Sequence, residues 1–498
     1  MDPFEYLEKR GLFNIKPGLD RMEKVLRSFD NPHLSIPSVH IGGTNGKGST
    51  SAIVEAIMRE FPVRTGMYTS PHLLSVLERL RIDGEDVERE TLGKAMSRVL
   101  SAGIGDELTY FELLTAASYL VMEEMKVDVN ISEVGMGGRW DATNVLEPQA
   151  IAITSLSIDH TEHLGYDMVS ISSEKCGIIK PSTPVTVGEV CNIPEENGRC
   201  LRNILDHCTH NGCPVVLVSR KESVESKKEL LSSYNIPDWR VISVDPETRA
   251  SGTRARFDVF GPTRDGQREP KFALIDEVFK SEYEIPLVGI HQAYNMAVGI
   301  CLSMLVLPFG ISHSMLREGD PGALSSLISG DVQGIIKEYP PARLEQMVRK
   351  GLKNVKIIGR MELLTREGKE LFIDGGHNIE AARSISSTLL SIHPGRKVVL
   401  LLAMMGDKEV AGFLKNLGID VGPVILTRLP FDRSMPPGKL LKGLVMSDLD
   451  PREVHVIPDI RIAVKRWLDL VDDEQIGLAT GSFYLYRFVK GDRCLQKV

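Results

Sequence analysis

The residues with the clearest chemistry are Gly42-Gly43-Thr44-Asn45-Gly46-Lys47-Gly48-Ser49-Thr50. A glycine-rich turn between a strand and a helix presents backbone N–H groups to an anion. The helix N-terminus adds the positive end of its dipole, and Lys47 adds a full charge. That combination binds nucleotide phosphates and predicts ATP. The spacing departs from the usual phosphate loop, because Gly48 stands between the lysine and the first hydroxyl. The loop therefore points to a nucleotide without naming a reaction.

Four further clusters accompany it: Thr69-Ser70-Pro71-His72-Leu73 followed by Glu78-Arg79; the stretch 133–144, with Glu133, Gly135, Gly137, Gly138, Arg139 and Asp141; Asp159-His160 within 159–165; and Glu174-Lys175 within 174–180. Chemistry on ATP needs a divalent cation, and Mg²⁺ prefers oxygen ligands. Glu133 and the hydroxyl of Ser70 are natural ligands, and His160 is a less usual one. Glu133 could instead cap a helix or pair with a cation, but its place at a strand end before a glycine-rich loop points to a ligand. Arg139 and Asp141 could pair with each other.

The elements that position these residues alternate between strand and helix. Residues 36–41 read as a strand, and 50–60 as a helix with Ile53, Val54, Ile57 and Met58 at helical spacing. A helix is predicted over 111–125, and strands over 127–131, 150–158, 184–190 and 214–218. This pattern implies a mostly parallel sheet with helices on both faces, with ligands at the carboxyl ends of its strands. Residues 219–282 read as a peripheral insertion or a set of surface strands. A helical region over 286–303 carries His291, Gln292 and Asn295, and 308–337, rich in Gly, Pro and Ser, reads as an insertion or linker. A second alternation begins near 354, with strands over 371–373, 397–403, 422–429, 453–457 and 476–479. Two domains are expected, 1–353 and 354–498, the second a smaller Rossmann-like α/β unit.

A chain of 498 residues exceeds the size of one core. Its 42% hydrophobic and 25% charged residues are ordinary for a soluble protein, and a net charge of −8 gives no reason to expect nucleic acid as a partner. The first sixteen residues carry no apolar leader, and the longest apolar run, 297–311, is short for a bilayer, so a cytoplasmic protein without a membrane partner is expected. The seven cysteines are scattered; Cys191, Cys200, His207, Cys208, His210 and Cys213 lack a zinc-knuckle spacing and read as free thiols and unliganded histidines.

Together these clusters resemble the folylpolyglutamate synthase / dihydrofolate synthase family of the Mur ligase superfamily. The resemblance rests on the phosphate loop with its displaced hydroxyl, the four clusters above, and His291-Gln292 with Asn295. In the second domain it rests on Gly359-Arg360 with Glu362, Asp374-Gly375 with His377-Asn378, Asp407-Lys408, and Gly481-Ser482 with Tyr484. Ile358 stands where the family carries proline, and Gly376 and Cys176 where it carries alanine; none of these removes a reacting group.

The resemblance implies a P-loop ATPase domain joined to a glutamate ligase domain, acting as an amide-forming ligase. ATP would be held by Gly43, Thr44, Asn45, Gly46, Lys47, Gly48, Ser49, Asn295, Arg360 and Asp374, and one Mg²⁺ by Ser70, Glu133 and His160. Lys175 matches a lysine that is carbamylated in the family and binds a second Mg²⁺. His377 and Ser482 fall where the incoming L-glutamate is expected. Gly18, Leu19, Thr109, Tyr110, Phe111, Glu112, Trp140, Asp141 and Ala142 match contacts to the pterin-bearing acceptor. The implied reaction activates a carboxylate as an acyl phosphate, and the amine of L-glutamate captures it between closed domains. The acceptor is a folate, dihydropteroate, or both, and a monomer is expected. A Mur-type ligase for another carboxylate, a P-loop small-molecule kinase and an ATP-binding switch share the phosphate loop; only the ligase explains Lys175 with its neighbours and the Asp374/His377 pair.

Overall fold

The computed structural model describes residues 2–11, 16–159, 161–189, 194–262, 270–320, 322–366 and 368–490. Among the described residues, seventeen strands form two sheets. The first comprises β1 (Ser38–Gly42), β2 (Thr65–Tyr68), β3 (Leu80–Ile82), β4 (Glu85–Asp86), β5 (Val129–Glu133), β6 (Ala150–Ile153), β7 (Val185–Val187), β8 (Val215–Arg220), β9 (Trp239–Arg249), β10 (Gly252–Phe260) and β11 (Glu282–Ile285). Their order is β11-β10-β9-β8-β7-β6-β1-β5-β2-β3-β4. From β9 to β2 neighbouring strands run parallel, and both ends are finished by antiparallel strands. Every residue of β1, β5 and β6 is buried. Helices cover both faces, as a parallel sheet requires.

The phosphate-loop helix Lys47–Met58 packs on one face beside the helix Ile290–Arg317, and together with β1 and β5 they form the largest core. The helix Tyr110–Glu124 anchors a second core.

The second sheet comprises β12 (Glu362–Arg366), β13 (Lys369–Ile373), β14 (Lys397–Leu402), β15 (Val421–Arg428), β16 (Glu453–Asp459) and β17 (Gln475–Thr480), in the order β12-β13-β17-β14-β15-β16. Only the β12–β13 pair is antiparallel. Apolar clusters lie on both of its faces. The α/β class with a large, mostly parallel sheet and a smaller second one agrees with the sequence reading.

One expectation needs correction. The strand predicted over 150–158 ends at Ile153. Beyond it the chain turns to the phosphate loop: Thr154 Oγ1 donates to the carbonyls of Gly42 (3.1 Å) and Asn45 (2.7 Å), and Thr44 N donates to the Ser155 carbonyl at 2.6 Å. Of the two readings of 219–282, the strands are present: the β9–β10 hairpin continues the main sheet and buries Val241, Val244 and Phe257 in its cores. Residues 308–337 are largely helical. The helix Ile290–Arg317 runs through Pro308, and the helices Ala323–Ser329 and Val332–Glu338 follow. This long helix has the length and composition to cross a membrane, but 89% of its most apolar window is buried inside the protein, where it serves as a core helix.

Candidate active site

Two glycines shape the phosphate loop. Gly43 has φ +134°, and a Cβ there would lie 2.1 Å from Thr154 Oγ1. Gly46, at φ +88°, is the residue before the helix, and a Cβ there would lie 2.4 Å from Asn295 Oδ1. Left-handed backbone and close approach both demand glycine. The loop thus leans directly on Asn295, whose Nδ2 donates to Gln292 Oε1 at 3.0 Å. Lys47 opens the helix and folds back, its Nζ donating to the carbonyls of Gly43 (3.2 Å) and Thr44 (3.1 Å). Ser49 is buried in the next turn. Burial lowers the pKa of Lys47, and the Glu133 charge acts in the opposite direction.

Glu133 ends β5 beside this helix and is buried. Its Oε2 accepts the N–H of Ser70 at 3.1 Å, while among the described residues no cation forms a direct ion pair with it. Burial pushes its carboxyl up, partly offset by Lys47, the Ser70 N–H and Arg360. A buried carboxylate lacking a direct counter-ion, beside a phosphate loop and a serine, suits a hard dication completed by phosphate and water oxygens. No cluster of three or more His, Cys, Asp or Glu side chains among the described residues could hold a metal alone, and His160 lies outside the described residues. Lys175 sits on the helix Met168–Cys176 and reaches under the loop, donating to the Gly43 carbonyl at 2.9 Å. Burial, with Lys47 nearby, pulls its pKa down to about 7.

The second domain closes the site from above. Asp374 follows β13, its Oδ1 accepting the N–H of Gly376 at 2.7 Å and its Oδ2 that of Met361 at 2.9 Å. Burial raises its carboxyl, and Arg360 opposes that. The Arg360 guanidinium lies 4.2 Å over the Phe483 ring, and its charge acts on both Glu133 and Lys47. Asn378 and Asn45 exchange side-chain hydrogen bonds at 3.2 and 3.3 Å across the seam. Asp159 of the first domain meets Lys408 Nζ at 2.6 Å and His377 Nε2 at 3.5 Å, both from the second. The carboxyl edges of the two sheets therefore face each other across the nucleotide loop.

The description "Mur ligase middle domain" matches residues 41–303, more than half of the chain, and "Mur ligase, glutamate ligase domain" matches 359–483. The chain is 30% identical over 476 residues to the dihydrofolate synthase/folylpolyglutamate synthase of Mycobacterium tuberculosis, covering 92% of this chain and 84% of that one. It belongs to the dihydrofolate synthase/folylpolyglutamate synthase family of Mur ligases. The folylpolyglutamate synthase of Mycobacterium tuberculosis complexed with ADP and AMPPCP superposes with a TM-score of 0.74 at 25% identity, covering 99% of both chains. The bifunctional synthase of Yersinia pestis complexed with AMPPNP and a Mn ion superposes with a TM-score of 0.70 at 25% identity, covering 98% of this chain and 96% of that one.

Of the residues expected to meet the acceptor in this Mur ligase, Gly18 has φ +111° and Leu19 precedes the helix Asp20–Arg27. Arg21 of that helix binds Glu112 at 2.8 Å, and Glu112 also accepts the Thr109 N–H at 2.7 Å in a capping box. The carboxylate of Glu112 is therefore engaged in holding the turn. Phe111 packs against Gly135, where a Cβ would meet its ring at 2.5 Å. Tyr110 and Ala142 are buried nearby, and Trp140 is 55% exposed. Arg139 pairs with Glu174 at 3.3 Å and not with Asp141. Asp141 accepts the backbone N–H groups of Met136 (2.9 Å) and Thr143 (3.0 Å), which fixes the loop. Ser482 follows β17, and its hydroxyl accepts the Tyr484 N–H at 3.4 Å. Asp159 and Lys408 stood in the sequence motifs without a role. Each belongs to a different domain, so only their meeting in space reveals the contact.

Proposed function

We propose that this Mur ligase joins the amine of L-glutamate to a folate carboxylate at the expense of ATP, with dihydropteroate as a second acceptor. The reading is carried by one arrangement: Lys47, Glu133 and Lys175 of the first domain face Arg360 and Asp374 of the second around one phosphate loop. A carboxylate is a poor acyl donor because oxide would have to leave. When an acceptor carboxylate oxygen attacks the γ-phosphorus, ADP departs and an acyl phosphate remains. The glutamate amine then attacks the acyl carbon and expels phosphate, leaving an amide.

Lys47 and the loop N–H groups would hold the phosphates, and Arg360 would stabilise charge on the transferring group from the opposite side. Asn295 would position the nucleotide, and Asp374 would orient Arg360 and the Met361 turn. Mg²⁺, held by Glu133 and Ser70 with His160, would neutralise charge on the phosphoryl group when bound. The interdomain contacts of Asn45 with Asn378 and of Asp159 with Lys408 and His377 would keep water from the acyl phosphate. His377 and Ser482 would face the incoming glutamate. The division at 353/354 belongs to the same reading, since the chain crosses between the two sheets there.

A carbamate on Lys175 is part of this proposal. An unprotonated amine is the form that adds CO₂, and burial gives Lys175 a pKa of about 7. Carbamylation would replace a cation by an anion and relieve its repulsion with Lys47. Lys175→Ala should lose ligation and regain part of it with small carboxylates; a fully active variant would remove the carbamate. The main test is mass analysis of products from folate, dihydropteroate, L-glutamate and ATP. Glutamylated products with ADP and phosphate are expected, and a stable phosphorylated acceptor without glutamate would overturn the ligase in favour of a kinase.

A further inference from the structure

Between the nucleotide loop and the acceptor side lies a buried cation that the mechanism above does not use. Arg79 is 6% exposed. Among the described residues it forms no ion pair with a carboxylate; its Nε donates to His72 Nδ1 at 2.9 Å. Its neighbour Glu78 is no counter-ion, because that carboxylate accepts the backbone N–H groups of Leu73 (2.7 Å), Leu74 (2.7 Å) and Ser75 (2.5 Å). A second cation arrives from the other domain: Arg487 Nη2 donates to the Leu73 carbonyl at 3.0 Å. His72 offers Nδ1 as an acceptor to Arg79, and the carbonyl of the next residue, Leu73, takes Arg487. Among the described residues neither Arg79 nor Arg487 pairs directly with a carboxylate, so the buried Arg79 guanidinium lacks a direct counter-ion. Such a charge is costly unless an anion completes it.

The surroundings say which anion. On one side Arg79 lies 5.4 Å over the ring of Tyr110, in the turn assigned to the acceptor. On the other, its carbonyl accepts the N–H of Thr69 at 2.9 Å, next to Ser70, whose N–H meets Glu133 Oε2 at 3.1 Å. An anion on Arg79 would therefore sit between the acceptor's aromatic part and the phosphoryl-transfer centre. We propose that Arg79, with Arg487 completing the site on closure, binds the carboxylate of the acceptor that is to be phosphorylated. This rests on the ligase reading and deepens it. A planar guanidinium binds a carboxylate by two parallel hydrogen bonds, which would also fix the direction from which an oxygen meets the γ-phosphorus.

The test compares Arg79→Gln and Arg79→Lys with the unaltered full-length protein, using pteroate, its carboxamide analogue, ATP and L-glutamate. Equilibrium titration by calorimetry should show that the unaltered protein prefers pteroate to the carboxamide by roughly 10- to 100-fold, a preference that Arg79→Gln abolishes. KM for the acceptor should rise by a similar factor, with KM for ATP and for L-glutamate changing less than about 3-fold. Arg79→Lys should recover part of the preference, because it restores the charge without the planar fork. An Arg79→Gln protein that ligates glutamate and still discriminates carboxylate from carboxamide overturns the site. A rise confined to KM for ATP or for L-glutamate also overturns it, by assigning Arg79 to the nucleotide or the amino acid. If the unaltered protein forms no glutamylated product, the ligase reading itself fails, whatever Arg79 does.

Discussion

Replacing Lys408 by methionine should open the two domains. Lys408 Nζ lies 2.6 Å from Asp159 Oδ1, the two side chains being 11% and 10% exposed, and Asp407 is its next carboxylate at 3.4 Å. With an effective dielectric of about 20, the gross attraction at that distance is roughly 6 kcal/mol. Removing both groups from water takes back much of it, and breaking a well-buried pair costs about 3–5 kcal/mol. Asp159 keeps its 3.5 Å contact with His377, so the cost falls at or just below that range, about 2–3 kcal/mol against the closed state. That changes the closed-to-open ratio by roughly 30- to 150-fold. Small-angle scattering of the ligand-free protein should show a larger radius of gyration for Lys408→Met. Labels placed on the two domains should report a longer, broader separation, narrowing again with nucleotide and substrates. An unchanged radius and separation would refute the reasoning, because the contact would then add nothing to closure.

Three other outcomes follow from particular residues. Gly46→Ala should cost about 1–2 kcal/mol for the left-handed backbone and displace Asn295; calorimetry should find nucleotide binding weakened by roughly 10-fold or more. Lys175→Met should be more stable than the unaltered protein at pH 7 in CO₂-free buffer. Because burial lowers this amine to about 7, the unfolded chain binds more protons than the native one between pH 7 and the ordinary lysine range. Stability of the unaltered protein therefore rises with pH across that window, and the difference seen by urea unfolding should shrink by pH 9.5. Arg240→Ala should cost about 3–5 kcal/mol and lower the melting temperature, because it leaves two buried carboxylates short of a partner. The fully buried Arg240 holds Asp238 at 2.8 Å and Asp276 at 2.9 Å.

The parts of the site that were legible in the sequence are those whose chemistry is local. Glycines 43 and 46, Lys47 and the helix after them occupy adjacent positions, so spacing alone locates the loop. Strand ends bearing Glu133 and Asp374 were readable because apolar runs stop there. The strand after Ala150 was over-extended because Leu156 and Ile158 continue the apolar run, whereas Thr154 and Ser155 spend their hydrogen bonds on the phosphate loop. The β9–β10 hairpin was obscured because its buried Val244 and Phe257 alternate with charged residues such as Asp245, Arg256 and Asp258, which looks polar on average. Pro308 and Gly310 suggested a break, but Gly310 lies where a Cβ would meet Val129 at 2.4 Å, so tight packing explains the glycine. Contacts between domains, such as Asp159 with Lys408, carry no sequence signal because their partners are 249 residues apart.

The helix Ile290–Arg317 has one consequence beyond its burial. Near its start Asn295 braces the loop, and at its far end Arg317 clamps Asp128 at 3.0 Å, just ahead of the strand that carries Glu133. One rod thus ties the floor of the nucleotide cradle to the base of the strand behind it. A frame braced at both ends resists bending where the phosphates rest, so a swing between the lobes would fall on the chain after Lys353, since Gly359 and Met361 are already tied to Glu362 and Asp374.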